Sequence, residues 1–283
     1  MPDSEQPKLL RLGPKAYDVT RRALVMGILN RTPDSFYDKG RYWDMDAFFQ
    51  LADKLVADGA DLLDVGGVKA GPGPEVSEAE EMDRVVPAVE ALSARFDAPI
   101  SVDTWRASVA RESYRAGAVM GNDISGFADP DYLPAAAEAG ASVVATHIRL
   151  GPRIPDPQPH YDDVVQAVSD FLADRTERAR AAGVSEDRIV IDAGLDLGKT
   201  ADQSLELLRA SDRLAALGPV LLLSASNKTF LGARFGLEVG DRWEATLAAH
   251  ALGLGLGCRI LRAHDVKAAR RLSDTVAAVL EAS

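Results

Sequence analysis

The sequence predicts a single-domain (β/α)8 barrel of the α/β class, and three observations carry that prediction. From Ala23 onward, short runs rich in Val, Ile and Leu alternate without interruption with amphipathic stretches, giving eight pairs in all. The apolar runs are continuous, as in strands buried on both faces of a parallel sheet that helices cover. No shift in composition marks a second domain, and eight such units in about 250 residues suit a closed barrel better than an open doubly wound sheet.

Residues 1–22 read as an N-terminal extension and residues 23–283 as the barrel. The strand candidates are ALVMGILN (23–30), DLLDVGG (61–67), PISVDT (99–104), AVMGNDIS (118–125), SVVATH (142–147), IVIDAG (189–194), VLLLSAS (220–226) and RILRAHD (259–265). Between them lie helical patterns. DMDAFFQLADKLVADG stops at Gly59, and SEAEEMDRVVPAVEAL opens with Ser77 and Glu80 at capping-box spacing. The Pro-rich RLGPRIPDPQPH (149–160) reads as a long loop after the fifth barrel strand.

Composition narrows the function. The chain has 283 residues, 47% of them hydrophobic, which is ample for a buried core. A net charge of −11 argues against nucleic acid and anionic membranes as partners, since both demand a basic surface. The lone Cys258 rules out an internal disulfide framework and a CxxC metal site, and it reads as a buried strand residue. The polar MPDSEQPKLL start has no signal-peptide core, and no run approaches the roughly 20 apolar residues of a membrane span. Cytoplasmic residence is the resulting expectation.

In such a barrel the chemistry sits where strands run out into the following helices. In order, those ends carry Asn30, Asp64, Asp103, Asn122 with Asp123, His147, Asp192, then Ser226, Asn227 and Lys228, and last Arg262 and His264. Each alone reads equally well as a turn former or helix cap, above all Asp64 and Asp123. Together they would ring one cleft. Asp103, Asn122 and Asp192 offer acceptors suited to a flat heterocycle bearing amino and ring N–H donors. Lys228 could meet a carbonyl oxygen, and Arg262 could stack on an aromatic ring. His264 follows two residues later, on the same side of its strand, where it and Arg262 could hold a phosphate-like group. Arg31, Lys69, Arg149, Arg153 and Lys199 add cations to the same loops, the last three read chiefly as neutralising nearby carboxylates. His147, His160, His250 and His264 lack metal-motif spacing, and His250 reads as structural.

The motifs MGILNRTPDSF, DVGG, SVDTWRASVA, GAVMGNDISG, IDAGLDLGKT, LLLSASNKTFLG and LRAHDV stand in the order and spacing of dihydropteroate synthase, which the chain resembles from about residue 23 to its end. The resemblance implies a TIM (β/α)8-barrel homodimer that joins a dihydropterin, activated as its diphosphate, to p-aminobenzoate. It also implies that Asn30 contacts Mg²⁺ with the diphosphate, and that Asp103, Asn122, Asp192 and Lys228 hold the pterin. Arg262 and His264 would bind the diphosphate, Arg262 also stacking on the ring. Catalysis of this type is dissociative: diphosphate leaves, a resonance-stabilised cation forms, and the arylamine attacks it. Lys228, Arg262 and His264 would then serve mainly to position reactants and steady the leaving anion.

The second loop departs from the family. The usual pattern there is DIGGESTRPG, whose Thr-Arg pair grips the diphosphate; in DVGGVKAGPG those positions are Ala70 and Gly71. Loss of the paired guanidinium contacts should cost about 2–4 kcal/mol, and Lys69 offers only a mobile point charge in return. Arg31 replaces a small apolar residue, Ser226-Asn227-Lys228 replaces SRK, and the fifth loop reads Thr146-His147-Ile148-Arg149-Leu150-Gly151-Pro152. Three readings follow: a paralogue that keeps the pterin pocket with little synthase activity, an active synthase with altered loops, or a methyltetrahydrofolate-type methyltransferase. A small pterin or arylamine-like molecule is the expected ligand in each, with Lys69 or Arg31 as the candidates to replace the lost grip.

Overall fold

The computed structural model describes residues 7–31 and 45–282, and within it eight parallel strands close into a barrel. These are β3 (Leu24–Asn30), β4 (Leu62–Gly66), β5 (Ile100–Asp103), β6 (Met120–Asp123), β7 (Ser142–Thr146), β8 (Ile189–Asp192), β9 (Val220–Leu223) and β10 (Cys258–Ala263). Neighbours in sequence are neighbours in the barrel, and β10 closes the ring on β3 with Ile260 opposite Leu24 and Arg262 opposite Met26. All eight expected strands are present. The runs AVMGNDIS and VLLLSAS continue past their paired residues because the backbone turns away: the Asp123 carboxylate accepts from the amides of Ser125 and Phe127. Asp123 is thus the turn former that its position suggested.

The helices that cover the barrel include α1 (Met45–Ala57), α2 (Glu78–Arg95), α3 (Ala107–Arg115), α4 (Tyr132–Ala139) and α5 (Val164–Ala181), followed by α6 (Ala201–Arg209), α7 (Ser211–Ala215), α8 (Thr229–Ala233), α9 (Trp243–Gly255) and α10 (Val266–Glu281). Ser77 caps α2 by accepting from the Glu80 amide. The reciprocal half of that expected box is absent because the Glu80 carboxylate pairs with Arg84. A complete box forms instead at Thr200 and Gln203, at the start of α6. Cys258 is buried at the start of β10, and His250 is buried in α9.

The period-two alternation of the strands divides their side chains into two layers. Leu63, Val65, Val143, Ile191 and Leu261 point outward into one core shared with the helices. Met26, Leu62, Met120, Val144, Val190, Leu222 and Ile260 point inward and fill the lower barrel. Two residues further along the same inward-facing rows stand Asp64, Asn122, Thr146, Asp192, Ser224 and Arg262, all at strand ends. The barrel interior therefore changes from aliphatic to polar in one step of the pleat. Its lower end is closed by a hairpin within the extension, β1 (Leu9–Leu12) and β2 (Lys15–Asp18), whose Leu10 and Leu12 are fully buried against the inward aliphatic layer, joined there by Val19. Among the described residues that plug covers the end of the barrel opposite the carboxyl-terminal mouth.

Candidate functional site

Asp103, Asn122, Asp192 and Arg262 meet at the mouth, with Asn30, Lys228 and His264 around them. Arg262 is held by two carboxylates: its Nε lies 2.7 Å from Asp64 Oδ2 and its Nη2 lies 2.9 Å from Asp103 Oδ2. The same Asp64 oxygen accepts from Asn122 Nδ2 at 3.1 Å. Asp64 is fully buried and lies at the centre of the site, where its strand-end position alone had suggested a turn former. Arg262 is thereby fixed edge-on to two acids across the barrel. Asp192 turns one oxygen to the Gly194 amide at 2.8 Å. Gly194 has φ 64°, and a Cβ there would lie 1.9 Å from the His147 carbonyl oxygen, so this turn admits only glycine.

Asn30 reaches over Gly66. A Cβ on Gly66 would stand 3.3 Å from Asn30 Oδ1 and 3.5 Å from Asp103 Cβ, so the glycine gives the amide its place beside the acid. Lys228 Nζ donates to the backbone carbonyl of Leu195 at 2.6 Å. Ser226 Oγ lies 2.9 Å from His264 Nδ1 and accepts from the His264 amide at 3.2 Å.

Burial governs the charges of these groups. It pushes the Asp103 carboxyl up to about 7, with Arg262 pulling it down and Asp64 pushing it further up. Asp192 is likewise raised by burial, against the pull of Lys228. Loss of hydration lowers the Lys228 ammonium, and the facing Asp192 carboxylate opposes that shift. His264 falls to about 3 through burial and the nearby Arg262, so it stands neutral at physiological pH. The mouth thus holds a neutral imidazole, one firmly charged guanidinium and acids whose protonation is finely placed.

The second loop lies beside this ring. Arg31 turns away from it: its side chain is buried over the Phe48 ring at 5.6 Å, and Nη1 donates to the Arg84 carbonyl at 3.2 Å. These contacts tie it to α1 and α2. Among the described residues no carboxylate lies within ion-pair distance of Lys69. The TPDSF part of the first-loop motif lies outside the described residues.

Three cations read as local neutralisers behave differently. Arg149 pairs through two nitrogens with Asp156, as expected. Lys199 instead donates to carbonyls, of Gly194 at 2.8 Å and Leu197 at 3.0 Å, and its Nζ stands 2.8 Å from His147 Nδ1. Arg153 also takes carbonyls, those of Lys69 at 3.0 Å and Pro74, while its own amide donates to Ala70 at 3.2 Å. Among the described residues neither makes an ion pair with a carboxylate, although Asp192 and Asp196 still act on the Lys199 ammonium through space.

A scan for known families matches residues 26–264 to the pterin-binding enzymes. The chain belongs to that family. It is 44% identical over 270 residues to the protein named inactive dihydropteroate synthase 2 of Mycobacterium leprae, a match spanning 91% of each chain. It is 38% identical to the dihydropteroate synthase of Bacillus subtilis, covering 98% of this chain and 95% of that one. Among solved structures, the Yersinia pestis dihydropteroate synthase in a sulfonamide drug complex superposes with a TM-score of 0.92 at 37% identity, over 97% of this chain and 100% of that one. The Xanthomonas albilineans dihydropteroate synthase with 7,8-dihydropteroate superposes at 0.85 and 36% identity, with coverage of 97% and 100%.

Within this pterin-binding barrel, sequence reasoning passed over two residues, Glu81 and Asp196, and the tie that a third, Arg153, makes. Glu81, fully buried, accepts from Thr104 Oγ1 at 2.6 Å and pairs with Arg106, bracing the loop after β5. Asp196, at φ 67°, offers its carboxylate to the amides of Thr229 and Phe230 and so ties the sixth loop to the start of α8. Arg153, at φ 64°, joins the fifth loop to the second. A non-glycine in left-handed backbone leaves no mark in the sequence pattern, which is why Asp196 went unseen and the inter-loop tie of Arg153 was not read.

Proposed function

We propose that this chain binds a reduced pterin in the mouth of its barrel and has little or no dihydropteroate synthase turnover. The observation that carries this reading is the contrast between the two halves of the site. Asp103, Asn122, Asp192, Lys228 and Arg262 form an array of buried and half-buried acceptors and donors, while Ala70 and Gly71 leave the second loop without a hydroxyl or guanidinium of its own.

Asp192, Asn122 and Asp103 would receive the N–H groups of the ring, and Lys228 its carbonyl oxygen. Arg262 keeps its orientation from Asp64 and would lie against the ring, with His264 and Asn30 nearest the diphosphate. Among the described residues no group of three His, Cys, Asp or Glu side chains could hold a metal ion. One amide oxygen, Asn30 Oδ1, suits a Mg²⁺ that arrives on the diphosphate and keeps its waters, because that ion is commonly held by few protein ligands plus substrate oxygens. Bound there, Mg²⁺ would neutralise charge on the leaving group. The relative named as inactive supports low turnover; the Bacillus subtilis and Yersinia pestis proteins named as synthases support the pterin as ligand.

The same reading takes residues 1–22 as an extension whose hairpin plugs a barrel of residues 23–283. It places the protein in the cytoplasm as a homodimer. No helix among the described residues is long and apolar enough to cross a membrane, and exposed Leu252, Val279 and Leu280 on α9 and α10 offer a surface for a second copy. Turnover of pterin diphosphate with p-aminobenzoate, measured beside calorimetric binding of each ligand, tests the function. Binding of a pterin analogue with negligible product is expected; ordinary synthase turnover would overturn it.

A further inference from the structure

The second loop has lost its own guanidinium, yet one stands beside it. Arg153 reaches from the fifth loop, 84 residues further along the chain than Lys69, and its guanidinium donates to the carbonyl oxygens of Lys69 at 3.0 Å and Pro74. Its amide adds a third bond, to Ala70 O at 3.2 Å. The residue holds left-handed backbone at φ 64°, which is costly for a side chain of this size and is kept here by those three bonds. Among the described residues no carboxylate lies within ion-pair distance of it.

Arg153 lines a cleft of about 290 Å³ together with Ala70, Gly71, Pro72 and residues of the sixth loop. The other charges there are Asp156, Asp196 and Lys199. Both acids are already engaged, Asp156 by Arg149 and Asp196 by the amides of Thr229 and Phe230. Lys199 is buried against carbonyls. What remains is a pre-oriented guanidinium without a counter-ion, two of whose five N–H donors are spent. In a chain with a net charge of −11, such a cation is a local place for an anion.

We propose that Arg153 supplies, from the fifth loop of the same chain, the oxyanion contact that Gly71 cannot make, and that a small oxyanion binds in this cleft through it. The chemistry is shared by two sources, a diphosphate and an aryl carboxylate. The inference rests on the pterin-binding reading for its biological meaning, though not for its test.

The test titrates inorganic diphosphate and, separately, p-aminobenzoate into the wild type, Arg153→Gln and Arg153→Lys by calorimetry, with a melting curve for each variant. Arg153→Gln should weaken the true oxyanion at least tenfold, and Arg153→Lys, which keeps the charge but loses the planar fork, should fall between the two. Whichever anion responds names the source. Adding Gly71→Arg to Arg153→Gln should restore binding, which a purely structural clamp would not allow. Absence of binding by either anion to the wild type, or unchanged affinity in a folded Arg153→Gln, overturns the proposal. A pterin analogue titrated into the same proteins reports on the ring pocket independently, so its failure would count against the pterin reading alone.

Discussion

Asp64 on β4 and Arg262 on β10, strands with β3 between them and residues 198 positions apart, meet at 2.7 Å with the acid fully buried. The pair sets the plane of the guanidinium, because Asp64 also holds Asn122 and Asp103 takes the other nitrogen of Arg262. Removing one partner of a buried pair leaves an uncompensated charge. Asp64→Ala should therefore destabilise the fold by about 3 kcal/mol, read from denaturant unfolding, while Asp64→Asn, which keeps an acceptor for Arg262, should cost clearly less. Equal losses in the two variants would mean that a neutral acceptor at this position contributes nothing and that the charge of Asp64 alone holds Arg262.

Asp192 stands at the end of β8 with one oxygen accepting from the Gly194 amide. Asp192→Ala should weaken a pterin analogue by about 1.5–3 kcal/mol, the loss expected for an acceptor of charged hydrogen bonds. Calorimetric affinity equal to that of the wild type would remove this residue from the ring pocket.

The second loop can be rebuilt. Gly71 is not in positive-φ backbone, and a Cβ there would meet nothing closer than Lys69 Cε at 3.7 Å. Ala70→Thr with Gly71→Arg should tighten diphosphate by at least tenfold, about 1.4 kcal/mol. The gain should shrink when Arg262 is also replaced, since both cations would share one anion. Unchanged affinity in the folded double variant would show that the loop's lost side chains are not what limits binding.

The protonation of Asp103 gives binding a pH dependence. Its carboxyl is raised to about 7 by burial, so below that value it carries a proton and no longer offers a free acceptor to ring N–H groups. Affinity for a pterin analogue should rise with pH through about 7 and then level, and Asp103→Asn should flatten the profile. For stability the sign is opposite. The folded carboxyl keeps its proton to higher pH than the unfolded one, so its contribution is fully present below the unfolded value and is lost as pH rises through about 7.

Self-association is expected through the exposed apolar residues of α9 and α10. Light scattering at micromolar concentration should report twice the 30.2 kDa of the chain, and Val279→Glu with Leu280→Glu should return it to the single-chain mass.

Much of this molecule was decided locally and could be read from its sequence. Continuous apolar runs alternating with helix-length stretches determined eight strands, and the polar residues where those runs end marked the carboxyl-terminal mouth, because both signals are local in the chain. The absence of a hydroxyl and a guanidinium at Ala70 and Gly71 was equally plain. The tertiary structure alone decided which charges meet. Asp64 became the anchor of Arg262, Arg31 was drawn under α1 and α2, and Arg153 came to lie along the second loop. Those outcomes depend on distances between segments far apart in the chain and on two non-glycine residues held in left-handed backbone. Long-range electrostatics and backbone strain have no period, and a sequence pattern therefore carries no trace of them.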